Sequence, residues 1–177
     1  MVNALTVDVE DYFHVQAFAD VILPNQWSQY PLRVEHNTRR LLDMFDRRRV
    51  RATFFILGWV AEHCPALVRE IASAGHEIGC HGYNHQMIGR ANEKEFREDI
   101  HRAKALLEEL SGALVRCYRA PSYSVTTHTL WALDVLHHAG FEYDSSIFPV
   151  RHDRYGIPNA KMLPHHLSTP GNKAIVE

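Results

Sequence analysis

The stretch that decides the fold is residues 52–80, ATFFILGWVAEHCPALVREIASAGHEIGC. It opens on the apolar run Ala52–Leu57, rich in aromatic and β-branched residues and closed by Gly58, as expected of a buried strand. Pro65 suits the first turn of a helix, which runs to Ser73 and stops at Gly75. His76–Cys80 is then a second short strand. The same rhythm extends both ways. Ala4–Val9 reads as a strand, followed by a long polar and aromatic loop, roughly residues 11–31, and by a helix over Val34–Arg48 with Val34, Leu41, Leu42 and Phe45 on one face. On the other side, Asn92 is placed to cap a helix carrying Phe96, Ile100, Ala103, Leu107 and Leu110 at helical spacing. Val115–Tyr118 is the next strand, Thr127–Ala139 a helix ending at Gly140, and Phe141–Tyr143 a further strand. Beyond Ser146 the chain is rich in Pro, His and Arg and gives no assignable pattern.

Strands alternating with helices imply parallel strands joined by crossovers, so the fold class is α/β, either a doubly wound sheet or a (β/α) barrel. The elements fall short of a complete barrel, which typically takes ~250 residues. Ala174-Ile175-Val176-Glu177 reads as the start of another strand. The expectation is therefore one domain over residues 1–177 that lacks its last strands.

Composition narrows the function. Hydrophobic residues make up 46% and charged residues 23%, the balance of an ordinary globular protein. With 19 Lys+Arg against 21 Asp+Glu there is no basic excess, so no nucleic-acid partner is expected. The one basic run, Arg47-Arg48-Arg49 with Arg51, falls where a helix should end and complements its dipole. Nothing approaches the ~18 consecutive apolar residues of a membrane span, and Met1–Leu5 shows no secretory signal. Cys64, Cys80 and Cys117 are odd in number and widely spaced, which points to a reducing, cytoplasmic setting rather than a disulfide framework.

Reactive residues collect where strands end, the edge on which parallel α/β folds carry their sites. The first strand ends in Asp8-Val9-Glu10-Asp11, the third in His81-Gly82-Tyr83-Asn84-His85, the fourth in Arg119-Ala120-Pro121-Ser122-Tyr123 and the fifth in Asp144. His81 and His85 are four apart, so one helical turn would put both rings on one side. Two histidines and a carboxylate form a catalytic zinc set with a position left open. Residues two apart on a strand face the same way, so Asp8 and Glu10 share a face; one can ligate a metal while the other serves as a base. Asp11 is the alternative ligand if the strand has already ended at Glu10. A buried Arg119 needs an anionic partner, and Asp8 is the natural one. Tyr12, Phe13 and Trp27 in the first loop suit either sugar stacking or packing of the loop.

Taken in order, these motifs resemble carbohydrate esterase family 4, the NodB-type polysaccharide deacetylases. Thr6-Val7-Asp8-Val9-Glu10-Asp11 stands where that family has Thr-Phe-Asp-Asp; His81 and His85 match His-x-x-x-His; Arg119, Pro121 and Tyr123 match Arg-x-Pro-x-Tyr. Arg51–Phe55 and Gly75–Gly79 look like its second and third strands, and the likeness spans about residues 3–146. The Asp-x-Glu-Asp variation resembles a subgroup in which the position two after the base is the ligand, and within it the deacetylases of exosortase and exopolysaccharide systems. The resemblance implies a distorted seven- or eight-stranded (β/α) barrel and metal-dependent hydrolysis of N-acetyl groups from an N-acetylated carbohydrate. It further implies a divalent metal, zinc first, with iron or cobalt as alternatives, held by Glu10, His81 and His85. Asp8 would be the base, held by Arg119, with the backbone N–H of Tyr123 as an oxyanion donor and Pro121, Tyr123 and Asp144 on the substrate side. The family's last motif, Leu-x-His, which supplies the catalytic acid, has no convincing match; His165-His166 is a poor one, and the acid is expected beyond Glu177. Two rivals remain open from the sequence: hydrolysis of a small cyclic amide in the manner of allantoinase relatives, and a non-catalytic carbohydrate-binding module.

Overall fold

The computed structural model of the protein describes residues 4–171 and 173–177, so the reading of Met1–Asn3 lies outside the described residues. Seven strands form one sheet: β1 (Thr6–Val9), β2 (Thr53–Ile56), β3 (Glu77–Cys80), β4 (Cys117–Tyr118), β5 (Tyr143–Asp144), β6 (His166–Ser168) and β7 (Ala174–Val176). Their order is β1-β2-β3-β4-β5-β7-β6. Every neighbouring pair is parallel except β6 and β7, which run antiparallel. Among the described residues five α-helices connect them: α1 (Val34–Arg48), α2 (Gly58–His63), α3 (Pro65–Ser73), α4 (Glu93–Ser111) and α5 (Trp131–His138).

The register places the site. Asp8 lies beside Phe55, which lies beside Gly79, and that glycine has a reason to be there: a Cβ on it would come 2.5 Å from the Phe55 ring. Chemistry-bearing residues at the C-terminal ends of β1, β3, β4 and β5 thus come to one edge. Beneath that edge, Phe54, Ile56, Leu57, Leu67, Ile71, Ile100, Leu107 and Leu133 are fully buried. Helix α4 packs on β3, α2, α3 and α5 with Phe96, Ile100, Ala103 and Leu107 inward, the expected face. Its start is the expected one too: Asn92 Oδ1 accepts from Glu95 N (3.0 Å), and Glu95 Oε2 accepts from Asn92 N (3.0 Å).

Three elements depart from expectation. Helix α2 begins at Gly58, where the sequence reads only as a strand end. Its first amides are satisfied by tertiary partners, Gly58 N donating to Gly82 O (2.8 Å) and Trp59 N to Tyr83 O (3.1 Å). Helix α5 is shorter than Thr127–Ala139, because Thr129 Oγ1 accepts from Thr126 N (2.8 Å) and fixes a turn ahead of it. In the stretch without an assignable pattern, His166–Ser168 folds back as β6 on β7, whose own strand character was legible. No described helix is long and apolar enough to cross a membrane.

A candidate metal centre beside an arginine-held carboxylate

Glu10 stands one residue past β1 and His81 one past β3; His85 sits four further along the loop. One ligand atom from each of the three lies within 4.8 Å of the others. His81 and His85 do not meet through a helical turn, as their spacing suggested. The chain between them is a loop, with Gly82 at φ +73° and His85 at φ +51°. Three anchors hold that loop. The α2 amides hold its carbonyls, as above. From α4, Asp99 Oδ2 accepts from Tyr83 N (2.7 Å) and Oδ1 from Asn84 N (3.1 Å). The Tyr83 hydroxyl donates to Glu62, and the Arg102 guanidinium lies 3.6 Å over its ring. Sequence reasoning missed Asp99, which sits on a helix already crowded with acids.

The donor set fits a metal ion. His81 Nδ1 contacts Arg119 O at 2.8 Å, which fixes the ring and turns Nε2 toward the cluster. Glu10 Oε2 lies 2.8 Å from His85 Nε2, so the carboxylate and both imidazoles face one point. Burial would raise the Glu10 carboxyl, but the adjacent His85 and His81 rings hold it below its usual range. Burial lowers His81, keeping the imidazole neutral and free to coordinate.

Asp8, two residues before Glu10 and on the same side of the chain, is engaged by Arg119 rather than by the histidines. Arg119 Nη1 donates to Asp8 Oδ1 (2.8 Å) and Thr6 Oγ1 (3.0 Å), while Nε donates to Ser145 O (3.1 Å) and Nη2 to Ser145 Oγ (2.9 Å). Phe55 and Tyr123 flank the guanidinium at 4.2 and 5.5 Å. All five N–H groups of an arginine point outward in a fixed plane, so this many partners lock the head group. Asp11, the alternative ligand, is outside the cluster: its carboxylate accepts from Tyr12 N (3.0 Å), Arg33 N (2.6 Å) and Val34 N (2.9 Å), tying the first loop to the start of α1.

Pro121 and Tyr123 form a short turn in which Ser122 and Tyr123 both have positive φ, 55° and 51°. Tyr123 N donates to Ala120 O (3.0 Å), so the backbone N–H expected at an oxyanion is engaged in the turn. Asp144 lies within β5 rather than after it and is buried, accepting from the Ser146 hydroxyl. Phe13 and Trp27 pack inside the loop with Trp59, leaving only Tyr12 part-exposed. His14, also missed, is buried against the Trp27 and Trp59 rings; its Nδ1 accepts from Asp11 N (2.8 Å), and burial pushes it down to about 4. A cavity of about 380 Å³ opens beside His85, walled by Phe13, His14, Trp27, Met87 and Arg90. His165 and His166 lie at β6, the end of the sheet remote from β1.

The His/His/carboxylate cluster thus stands at the C-terminal ends of the parallel strands of an α/β fold, with an arginine-held acid beside it. The comparisons with known proteins are specific. The profile of the polysaccharide deacetylase family matches residues 26–143, and the chain belongs to that family. A peptidoglycan-N-acetylglucosamine deacetylase of Bacillus cereus is 32% identical over 146 residues, covering 76% of this chain and 52% of its own length. A chitooligosaccharide deacetylase of a Bradyrhizobium species is 32% identical over 100 residues, 56% of this chain and 43% of its own. The chain thus spans about half the length of the curated relatives it matches. Among solved structures, a Mycobacterium smegmatis protein grouped with the polysaccharide deacetylases superposes with a TM-score of 0.73 at 29% identity, over 98% of this chain and 56% of that one. A family pseudoenzyme from Bacillus anthracis shares the fold at 19% identity, with a TM-score of 0.61 over 78% of this chain and 40% of its own. The mostly parallel α/β architecture is that of the family's distorted barrel.

Proposed function

We propose that this chain hydrolyses N-acetyl groups from an N-acetylated polysaccharide or oligosaccharide, using a divalent ion held by Glu10, His81 and His85, with zinc as the ion and iron or cobalt able to replace it. The observation that carries the reading is the convergence of those three side chains within 4.8 Å, beside an Asp8 that is ion-paired rather than coordinated. When bound, the ion supplies Lewis acidity toward a carbonyl oxygen and toward water. Asp8 takes the proton from water as it attacks the acetamide carbon; the C–N bond breaks as the leaving nitrogen takes up that proton, and acetate and the free amine depart. Arg119 keeps Asp8 aimed while this happens. Pro121 and Tyr123, whose ring lies beside Arg119, serve the substrate side, and the cavity beside His85 has room for part of a sugar chain. Relatives that act on peptidoglycan and on chitooligosaccharides support N-acetylated sugars as the class. The Asp-x-Glu-Asp spelling favours an exopolysaccharide as the natural polymer.

The test is metal content by elemental analysis together with acetate release from N-acetylated oligosaccharides, on wild type and on His81→Ala/His85→Ala. Near-stoichiometric metal and acetate release in wild type, both lost in the variant, are expected. Metal without acetate release would place the chain with the pseudoenzymes. No metal after reconstitution would sink the metal reading.

A further inference from the structure

A second cluster of acids lies behind Arg119 and is not used above. Glu177 follows β7 and Asp144 ends β5, and the two strands pair in parallel with Tyr143 beside Val176, so the two carboxyl side chains are neighbours at the strand ends. Their outer oxygens are accounted for: Asp144 Oδ1 accepts from the Ser146 hydroxyl, and Glu177 Oε1 accepts from Ile147 N (2.7 Å). The remaining oxygens, Asp144 Oδ2 and Glu177 Oε2, are shielded from solvent and have no hydrogen-bond partner, so a proton placed between them would satisfy both. The backbone pins the approach, because Glu177 N donates to His165 O (2.9 Å) and its carbonyl accepts from His165 N (2.8 Å). Two ionised carboxylates facing each other in a dry pocket repel strongly, whereas one proton between them makes a hydrogen bond.

We propose that Asp144 and Glu177 share a single proton, carry one negative charge between them, and position Arg119 for Asp8. The inference rests on the proposed function only for the use made of Asp8. The charged and titratable groups on the surrounding elements are Tyr118 beside Asp144 in β4, Arg119 just after it, Asp8 beyond on β1, His165 ahead of β6, and the exposed pair Arg116–Glu142 at the strand starts. Of these, Arg119 is the cation that acts on Asp144, and it is hydrogen-bonded to Ser145, the very next residue. Its single positive charge therefore has two claimants. With one negative charge on the acid pair, the guanidinium stays shared with Asp8; with two, it is drawn toward β5 and Asp8 loses part of its hold. Burial and the mutual repulsion of the pair both raise its proton affinity, in the same sense as the geometry. Asp144 and Glu177 are positioning residues under this assignment, since neither touches the metal cluster.

The experiment is a carboxyl-carbon NMR titration of the metal-free wild-type chain, with the Arg119 Nε–H resonance followed in the same samples and Glu177→Gln used to assign the pair. One carboxyl of the pair is expected to titrate at least about two pH units above the ordinary carboxylate range, and the Arg119 resonance should move in that same step. Glu177→Gln should abolish both. If Asp144 and Glu177 both titrate in the ordinary range, or if Arg119 is silent while the pair titrates, the proposal is overturned. Should Glu177→Gln fail to fold, the wild-type titration alone decides. None of these readings uses acetate release, so a chain that does not deacetylate leaves the result standing, and the converse holds.

Discussion

Arg119 Nη1 lies 2.8 Å from Asp8 Oδ1 across 111 positions of chain, while Glu10, two residues from Asp8, turns to the histidines instead. That division of labour between two carboxylates on one strand face makes the arginine specific in shape as well as in charge. Arg119→Lys keeps the charge but cannot reach Thr6, Asp8 and both Ser145 acceptors together. It should lower unfolding free energy by about 2 kcal/mol, because buried acceptors lose their donors. Urea titration measures this, and an unchanged midpoint would show that the fork of hydrogen bonds is idle.

Asp11 and Glu10 are adjacent, yet their alanine variants should fail in opposite ways. Asp11→Ala removes the acceptor for the amides of Tyr12, Arg33 and Val34, with an expected loss of about 1–2 kcal/mol, the scale of a helix cap. Its metal content should stay at the wild-type level. Glu10→Ala should lose metal and keep more of the stability. Elemental analysis paired with thermal melts separates the two, and a metal-free Asp11→Ala would return that residue to the ligand set.

Asp99 touches no proposed ligand but holds the loop between two of them. In Asp99→Ala the amides of Tyr83 and Asn84 lose their acceptor, and His85 loses its fixed orientation. Metal affinity should fall by roughly tenfold to a hundredfold, the range seen when supporting groups of metal ligands are removed. Competition with a chelating dye gives the number, and helical content by circular dichroism should not change.

His14 supplies a pH signature. Its folded value, about 4, lies below the usual 6.5, so the unfolded chain takes up its proton first as the solution is acidified. Stability from this residue is therefore fully present above pH 6.5 and is lost as pH falls toward 4, by up to about 3 kcal/mol. Comparing wild type with His14→Gln in chelator isolates the effect. Parallel stability curves over that interval would mean that His14 is not buried in its neutral form.

Much of this was legible from local pattern. Pro65 and Gly75 bracket α3, Asn92 opens α4, and the apolar run before Gly58 is a strand, because each signal acts through its own backbone. The alternation that groups Asp8 with Glu10 and sets Asp11 apart is likewise a property of one strand. What stayed hidden depends on partners far away. Helix α2 is capped by carbonyls of the histidine loop, 24 positions downstream of the amides they satisfy. Asp99 looks like its exposed neighbours Glu95 and Glu98 until the loop above it is in place. Phe13 and Trp27 suit a sugar platform as well as a core, and only the presence of Trp59 decides for the core. Glu177 acquires a role once β7 is set beside β5 in the sheet, out of sequence order with β6.

Three of the four described non-glycine residues with positive φ, His85, Ser122 and Tyr123, belong to the two loops that frame the site. The left-handed conformation costs an L-residue about 1–2 kcal/mol, and glycine is relieved of it. Laboratory evolution for heat resistance should therefore arrive early at Ser122→Gly or Tyr123→Gly, since the largest local gains are available there. Those winners would surrender the ring beside Arg119 or slacken the turn that carries it. Selection for endurance and selection for turnover would pull the same few codons in opposite directions.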